Sequence, residues 1–187
     1  MLRIPTASAW VETVLGDLDR FLLDHASCER KASSFAMSML LHYPDKRRLV
    51  MEMCELAREE LSHFQLVLEC IDARGLTLGP DEKDAYVGQL LALARRERSA
   101  YFLDRLLLGA IIEARGCERF GLLAAALSGD LKRFYEKIAR SEARHQGLFL
   151  DLANEYFPRE EITPRLDELL DHEASIVSKL LYRPALH

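Results

Sequence analysis

A chain of 187 residues, 49% hydrophobic and 29% charged, has enough apolar side chains for a single domain with a real core and no need of a second. Its net charge of −5 excludes a protein that coats nucleic acid over a broad basic surface, while leaving a local basic contact open. No uninterrupted apolar run nears the ~20 residues of a membrane span, and the longest, Leu106 to Ile112, belongs in a buried helix.

Good helix formers dominate, and β-branched or aromatic residues never alternate with polar ones for long, so an all-α chain is expected. A first helix covers Ala7 to Leu15, with Thr6 as its cap. A stronger one runs from Leu18 to Leu41 and stops before Tyr43-Pro44, because proline pushes the preceding residue off helical angles. Leu22, Ala26, Glu29, Ser33, Ala36 and Leu40 share one face of it, which sets Glu29 in the inner stripe. The next helix opens at Pro44 or Asp45, runs to about Ala73 and ends at Gly75, where a left-handed cap costs nothing. Its stripe is Leu49, Met53, Leu56, Glu60, His63 and Val67.

Leu76 to Asp81 reads as a linker, with Gly79-Pro80-Asp81 a fresh helix start. The helical pattern from Glu82 to Leu127 is too long for one ordinary globular helix, and a break is expected between Leu93 and Tyr101. This stretch leaves room for the long crossover that separates ferritin-like bundles from simple up-and-down ones. Ser128-Gly129-Asp130 is a turn and cap, and a helix follows from Leu131 to about Tyr156, ended by Pro158. Its stripe holds Phe134 or Tyr135, Ile138, Glu142, His145, Phe149 and Leu152. Thr163-Pro164 supplies a cap and first-turn proline for a last helix, Arg165 to Leu181, expected to flank the core helices, and the tail after Arg183 is expected to fray.

Two stretches share one chemistry: Glu60-Leu61-Ser62-His63 and Glu142-Ala143-Arg144-His145. Positions three apart lie on one helix face, so each stretch aims a carboxylate and an imidazole at a common point. Glu29 precedes Glu60 by 31 residues and Glu113 precedes Glu142 by 29, each across helix, turn, helix. The turn at Pro44 is 15 residues from Glu29 and 16 from Glu60, so at ~1.5 Å per residue the two carboxylates reach almost equal height. Four inward carboxylates and two imidazoles are what a four-helix bundle uses to hold two iron or manganese ions. A buried unpaired carboxylate is costly, and two divalent ions remove that cost for four. Zinc would more often show thiolates or three histidines.

The third-helix carboxylate has a rival. Cys-Glu-Arg occurs at 28–30 and again at 117–119, which would make Glu118 the counterpart of Glu29. Five residues turn a helix by ~500°, so Glu113 and Glu118 cannot face one site. The stripe Leu106, Ala110, Glu113, Cys117, Phe120, Ala124 favours Glu113. Cys28, Cys54, Cys70 and Cys117 sit in helical patterns without CxxC spacing, and no basic and apolar leader precedes them, so a cytoplasmic protein with reduced thiols is expected. Tyr135, seven residues before Glu142, reads as a core aromatic, with a place beside the metals as the alternative. Short basic runs at Lys46-Arg47-Arg48, Arg95-Arg96-Glu97-Arg98 and Lys132-Arg133 read as solvated faces or phosphate grips, and Arg30, Lys31, Arg115 and Arg119 as a site rim or as partners of nearby acids.

The words around the glutamates are more specific than the metal pattern: His-Ala-Ser-Cys-Glu-Arg-Lys-Ala at 25–32, Arg-Glu-Glu-Leu-Ser-His-Phe at 58–64, Ile-Glu-Ala-Arg-Gly-Cys-Glu-Arg-Phe at 112–120 and Ser-Glu-Ala-Arg-His at 141–145. Over nearly the whole chain they resemble the bacterial tRNA hydroxylases of the MiaE family, within the ferritin-like diiron carboxylate proteins. The resemblance implies a diiron monooxygenase acting on the isopentenyl group of 2-methylthio-isopentenyladenosine beside the anticodon. It implies Glu29, Glu60, Glu113 and Glu142 as carboxylate ligands, His63 and His145 as imidazole ligands, and no further catalytic side chain. It implies two iron ions cycling between Fe2+ and Fe3+, O2 as co-substrate, and electrons from an external reductase or ferredoxin-type donor. The partner would be the tRNA anticodon stem-loop, with no membrane, and the protein a monomer or small homo-oligomer. Another ferritin-like oxidase, an iron-storage or peroxide-scavenging relative, and a metal-free helical interaction protein are the competing readings.

Overall fold

The computed structural model describes residues 1–187 and is all-α. Its helices are α1 (Ser8–Gly16), α2 (Leu18–His42), α3 (Arg47–Ala73), α4 (Ala85–Leu91), α5 (Arg98–Ala126), α6 (Gly129–Tyr156) and α7 (Arg159–Val177). Helix α2 pairs with α3, and α5 pairs with α6, each through a short turn, which are the hairpins of a ferritin-like bundle. The chain divides into two compact units: one of Glu12–Glu82 with Tyr182–Leu186, the other of Met1–Val11, Lys83–Leu181 and His187.

In the α2–α3 unit the predicted stripes are the buried ones, except that on α2 Met39 is buried where Leu40 is expected and Leu40, like Ser33, is half-buried. Helix α2 buries Leu22, Ala26, Glu29 and Ala36, and α3 buries Leu49, Met53, Leu56, Glu60, His63 and Val67. Burying a Leu or Met side chain is worth roughly 1.5–3 kcal/mol, which helix propensity alone does not approach. Ser33, a polar residue in the α2 stripe, donates to the Ala57 carbonyl at 2.9 Å, so the hairpin accommodates it. Gly75 ends α3 with φ +68, the left-handed cap that only glycine adopts cheaply.

In the other unit the expected break falls at 92–97, between α4 and α5. No proline causes it. Fully buried Asp104 accepts the Arg95 backbone N–H at 2.8 Å, the Arg95 guanidinium at 2.7 Å and the Arg165 guanidinium at 2.9 Å, which fixes the connecting segment on α5 and α7. Glu97 then caps α5 by accepting from Ser99 and Ala100.

Three expectations are corrected. Thr6 does not cap α1; its N–H and hydroxyl both donate to Glu118, at 3.1 and 2.6 Å, a partner 112 residues away. Helix α7 begins at Arg159 rather than Arg165 and carries Pro164 inside it. Pro158 occupies the cap position and Glu160 and Glu161 favour the first turn, so the helix starts there and gives up one hydrogen bond at Pro164. The tail does not fray: Ala185 and Leu186 are 4% and 5% exposed, the Leu186 N–H donates to Asp24 at 2.7 Å, and the His187 ring stacks on Tyr86 at 4.9 Å.

Candidate metal centre

On the α2–α3 hairpin, Glu29, Glu60 and His63 are 4%, 1% and 3% exposed and bring donor atoms within 4.8 Å of one another. The His63 Nδ1 lies 3.1 Å from Glu60 Oε2 and 3.6 Å from Glu29 Oε2. Burial works against a charged imidazole here, but Glu29 and Glu60 outweigh it and push His63 up to about 9. Burial also opposes ionisation of Glu29, yet hydrogen bonds from His25 and His63 hold that carboxyl well below its usual range. The pocket therefore keeps the Glu29 carboxylate anionic and draws a proton onto His63.

His25 is the residue that sequence reasoning missed. It is fully buried one turn before Glu29, and its Nε2 donates to Glu29 Oε1 at 2.6 Å. The i, i+4 spacing was visible, but a histidine beside Leu22 and Ala26 reads as core until its partner's ionisation is known.

On the α5–α6 hairpin, Glu113, Glu142 and His145 are 8%, 6% and 3% exposed, again with donor atoms within 4.8 Å. His145 presents the same ring nitrogen: Nδ1 is 3.8 Å from Glu113 Oε2 and 4.0 Å from Glu142 Oε2. Glu118 is elsewhere, accepting from Thr6 and from Arg115 Nη1 at 2.5 Å. The structure thus sets Glu113, not Glu118, beside His145.

Cys117 is not among the donors gathered around His145, and burial first, then Glu113 and Glu118, push its thiol up. Tyr135 is a fully buried aromatic stacked on Phe120 at 5.6 Å. Of the predicted rim, Arg115 is fully buried against Glu173, Arg119 lies over Trp10 at 5.1 Å, and Arg30 and Lys31 bond Asp81 and the Glu82 carbonyl. Arg95 is committed to Asp104, while Lys46-Arg47-Arg48 and Lys132-Arg133 stand at the starts of α3 and α6.

Each hairpin thus offers two carboxylates and one imidazole, a buried set of hard oxygen and intermediate nitrogen donors that fits iron or manganese and lacks the thiolates of a closed zinc site. In protein stripped by a chelator, the stability contributed by charged His63 is expected to be complete below pH 6.5 and to be lost as pH rises through about 9, because its folded pKa lies above the unfolded one. Urea midpoints across that range check this; a midpoint that climbs would contradict it.

A model of the family described as tRNA-(MS[2]IO[6]A)-hydroxylase (MiaE) matches residues 1–187. The chain is 42% identical over 155 residues to the tRNA 2-(methylsulfanyl)-N(6)-isopentenyladenosine(37) hydroxylase of Pseudomonas putida, covering 83% of this chain and 76% of that one. It is 29% identical over 225 aligned positions to the hydroxylase of the same name from Salmonella typhimurium, covering 94% and 83%. Among solved structures it is similar to protein 43 with aldehyde deformylating oxygenase activity from Synechococcus, with 38% identity, a TM-score of 0.94 and coverage of 100% and 94%.

Proposed function

With the chain belonging to the MiaE family, and so being a hydroxylase that acts on isopentenylated adenosine in tRNA, we propose that residues 1–187 form one diiron domain. Its ligands are Glu29, Glu60, His63, Glu113, Glu142 and His145. The observation that carries this reading is the duplication: two hairpins, each with its own buried Glu, Glu and His, in a chain matched from end to end by the family model.

Held by these six side chains, a reduced iron pair would supply the activation of O2: with two electrons from an external donor and two protons, one oxygen atom would enter an allylic methyl of the isopentenyl group and the other would leave as water. The protein's part is positional. His63 and His145 turn Nδ1 toward the carboxylates of their own hairpins. His25 holds Glu29 by an N–H on Nε2, fixing the carboxylate's orientation and charge. Burial of all six donors excludes bulk water from competing reactions. No side chain is needed as a nucleophile.

The substrate is the anticodon stem-loop, where a single-stranded base leaves its stack cheaply. The donor is a reductase or ferredoxin-type protein, the setting is the cytoplasm, and the working form is a monomer or small homo-oligomer. No helix is long and apolar enough to cross a membrane.

Iron analysis combined with an O2-dependent assay on tRNA carrying the isopentenylated base, read by nucleoside mass spectrometry, tests the proposal. Two irons per chain and a nucleoside heavier by one oxygen are expected. Stoichiometric iron without that product would keep the metal centre and reject the substrate; an aldehyde offered in parallel addresses the activity of the Synechococcus protein. His25→Ala is expected to weaken iron binding by about 10- to 100-fold, the range for groups that orient metal ligands. Chelator competition measures this, and an unchanged affinity would remove His25 from the site.

A further inference from the structure

Helix α6 carries Glu142 and His145 on its buried stripe, and on the opposite face it exposes Arg133, Lys137, Arg140 and Arg144. Spacings of four, three and four residues place these cations in one row, about 16 Å long at 1.5 Å per residue. The row runs from the second turn of α6 to the level of His145.

Several arginines elsewhere in this acidic chain meet carboxylates. Arg3 pairs with Asp167 and Asp171, Arg20 with Glu82, Arg30 with Asp81, Arg74 with Asp19, and Arg95 and Arg165 with Asp104. On α6, Lys137 and Arg140 face solvent without a carboxylate partner, and Arg144 is exposed beside them. Arg133 meets only Asp130, which is 96% exposed, so that pair is worth little. Asp130 and Asp151 bracket the row and Glu136 stands about 60° to one side of it.

We propose that this face of α6 binds the sugar-phosphate backbone of the substrate RNA, with Lys137 and Arg140 at the centre of the contact. The proposal rests on the tRNA-hydroxylase reading and adds the surface. The row is long enough to meet several successive phosphates of one strand. A line one side chain wide, three parts arginine, fits a linear polyanion, since guanidinium grips phosphate oxygens in pairs. Contacts of this kind carry no sequence information but fix register. Here they orient the strand along the helix that supplies Glu142 and His145. An acidic electron-donor protein is the other partner a cationic face could take, and a compact acidic patch would call for a broad basic area rather than a single file.

The test is the double variant Lys137→Gln/Arg140→Gln, with Arg159→Gln at the start of α7 and Lys179→Gln just beyond its end as a control of equal charge change. Binding to tRNA carrying the isopentenylated base is measured by anisotropy from 50 to 300 mM salt. The α6 variant is expected to bind about tenfold more weakly near physiological salt, and its log K against log salt slope to flatten by about 1.5, as two lost phosphate contacts dictate. Its iron content should equal that of the wild type, showing an intact fold, and the control should bind as the wild type does. An unchanged affinity and slope in the α6 variant, or an equal loss in the control, overturns the surface. So does a variant impaired only in turnover with a protein electron donor, which would give the face to that donor. A wild-type protein that neither binds nor hydroxylates tRNA rejects the functional reading itself, and the surface with it.

Discussion

Glu113→Ala is expected to strip iron from the protein and lower tRNA hydroxylation by at least a hundredfold, whereas Glu118→Ala should keep iron and cost stability instead. Glu113 stands 3.8 Å from His145 Nδ1, so its removal takes an oxygen donor out of the α5–α6 set. Orienting groups behind metal ligands already cost about 10- to 100-fold, and a ligand should cost more. Glu118 serves a different structure: it accepts from Thr6 and from Arg115, holding the N-terminal segment on α5. Losing those charge-assisted bonds should cost about 1–3 kcal/mol. Iron per chain, nucleoside mass spectrometry and urea unfolding on both variants separate the two roles. Iron loss confined to Glu118→Ala would reverse the assignment.

Glu173→Ala is expected to be the most destabilising single substitution away from the metal centre, at about 3–5 kcal/mol. Arg115 and Glu173 are both fully buried and joined by two parallel bonds, Nε to Oε1 at 2.8 Å and Nη2 to Oε2 at 3.0 Å, and the Tyr86 hydroxyl donates to the same carboxylate at 3.0 Å. Burial and then Glu173 push the Tyr86 hydroxyl well above its usual pKa, so it remains a donor. Truncating Glu173 leaves a guanidinium without its main counter-charge in a dry interior that also holds Arg119, itself pushed down to about 10, chiefly by burial. At roughly 2–4 °C per kcal/mol for a chain of this size, the melting temperature should fall by about 10 °C. The double variant Arg115→Met/Glu173→Leu should recover most of that loss, because a buried pair removed whole costs far less than one removed by half. A single variant as stable as the wild type would show the pair to be hydrated in solution.

The long helices and six of the buried polar side chains were legible because they obey a period. Glu29, Glu60, His63, Glu113, Glu142 and His145 all lie in apolar stripes at spacings of three and four, and the structure buries every one of them. What escaped was set by partners far along the chain. Thr6 reads as a cap until Glu118 claims it, and the last residues read as loose until Asp24 and Tyr86 hold them. Pro164 looked like a helix start because nothing local says that Pro158, six residues earlier, already provides one. His25 was hidden for a subtler reason: its role depends on the charge state of Glu29, which no periodicity encodes.

The turns at 43–46 and 127–128 also bear on how the protein is born. Each joins two long helices directly, so the three donors of either hairpin meet through contacts local in sequence, the kind that form early when a chain collapses. The α2–α3 hairpin is complete by Ala73, before most of the polypeptide has left the ribosome. Glu29, Glu60 and His63 are therefore all made within the first half of synthesis and face one another across a single short turn, so this half of the ligand set needs no chain reversal beyond that turn.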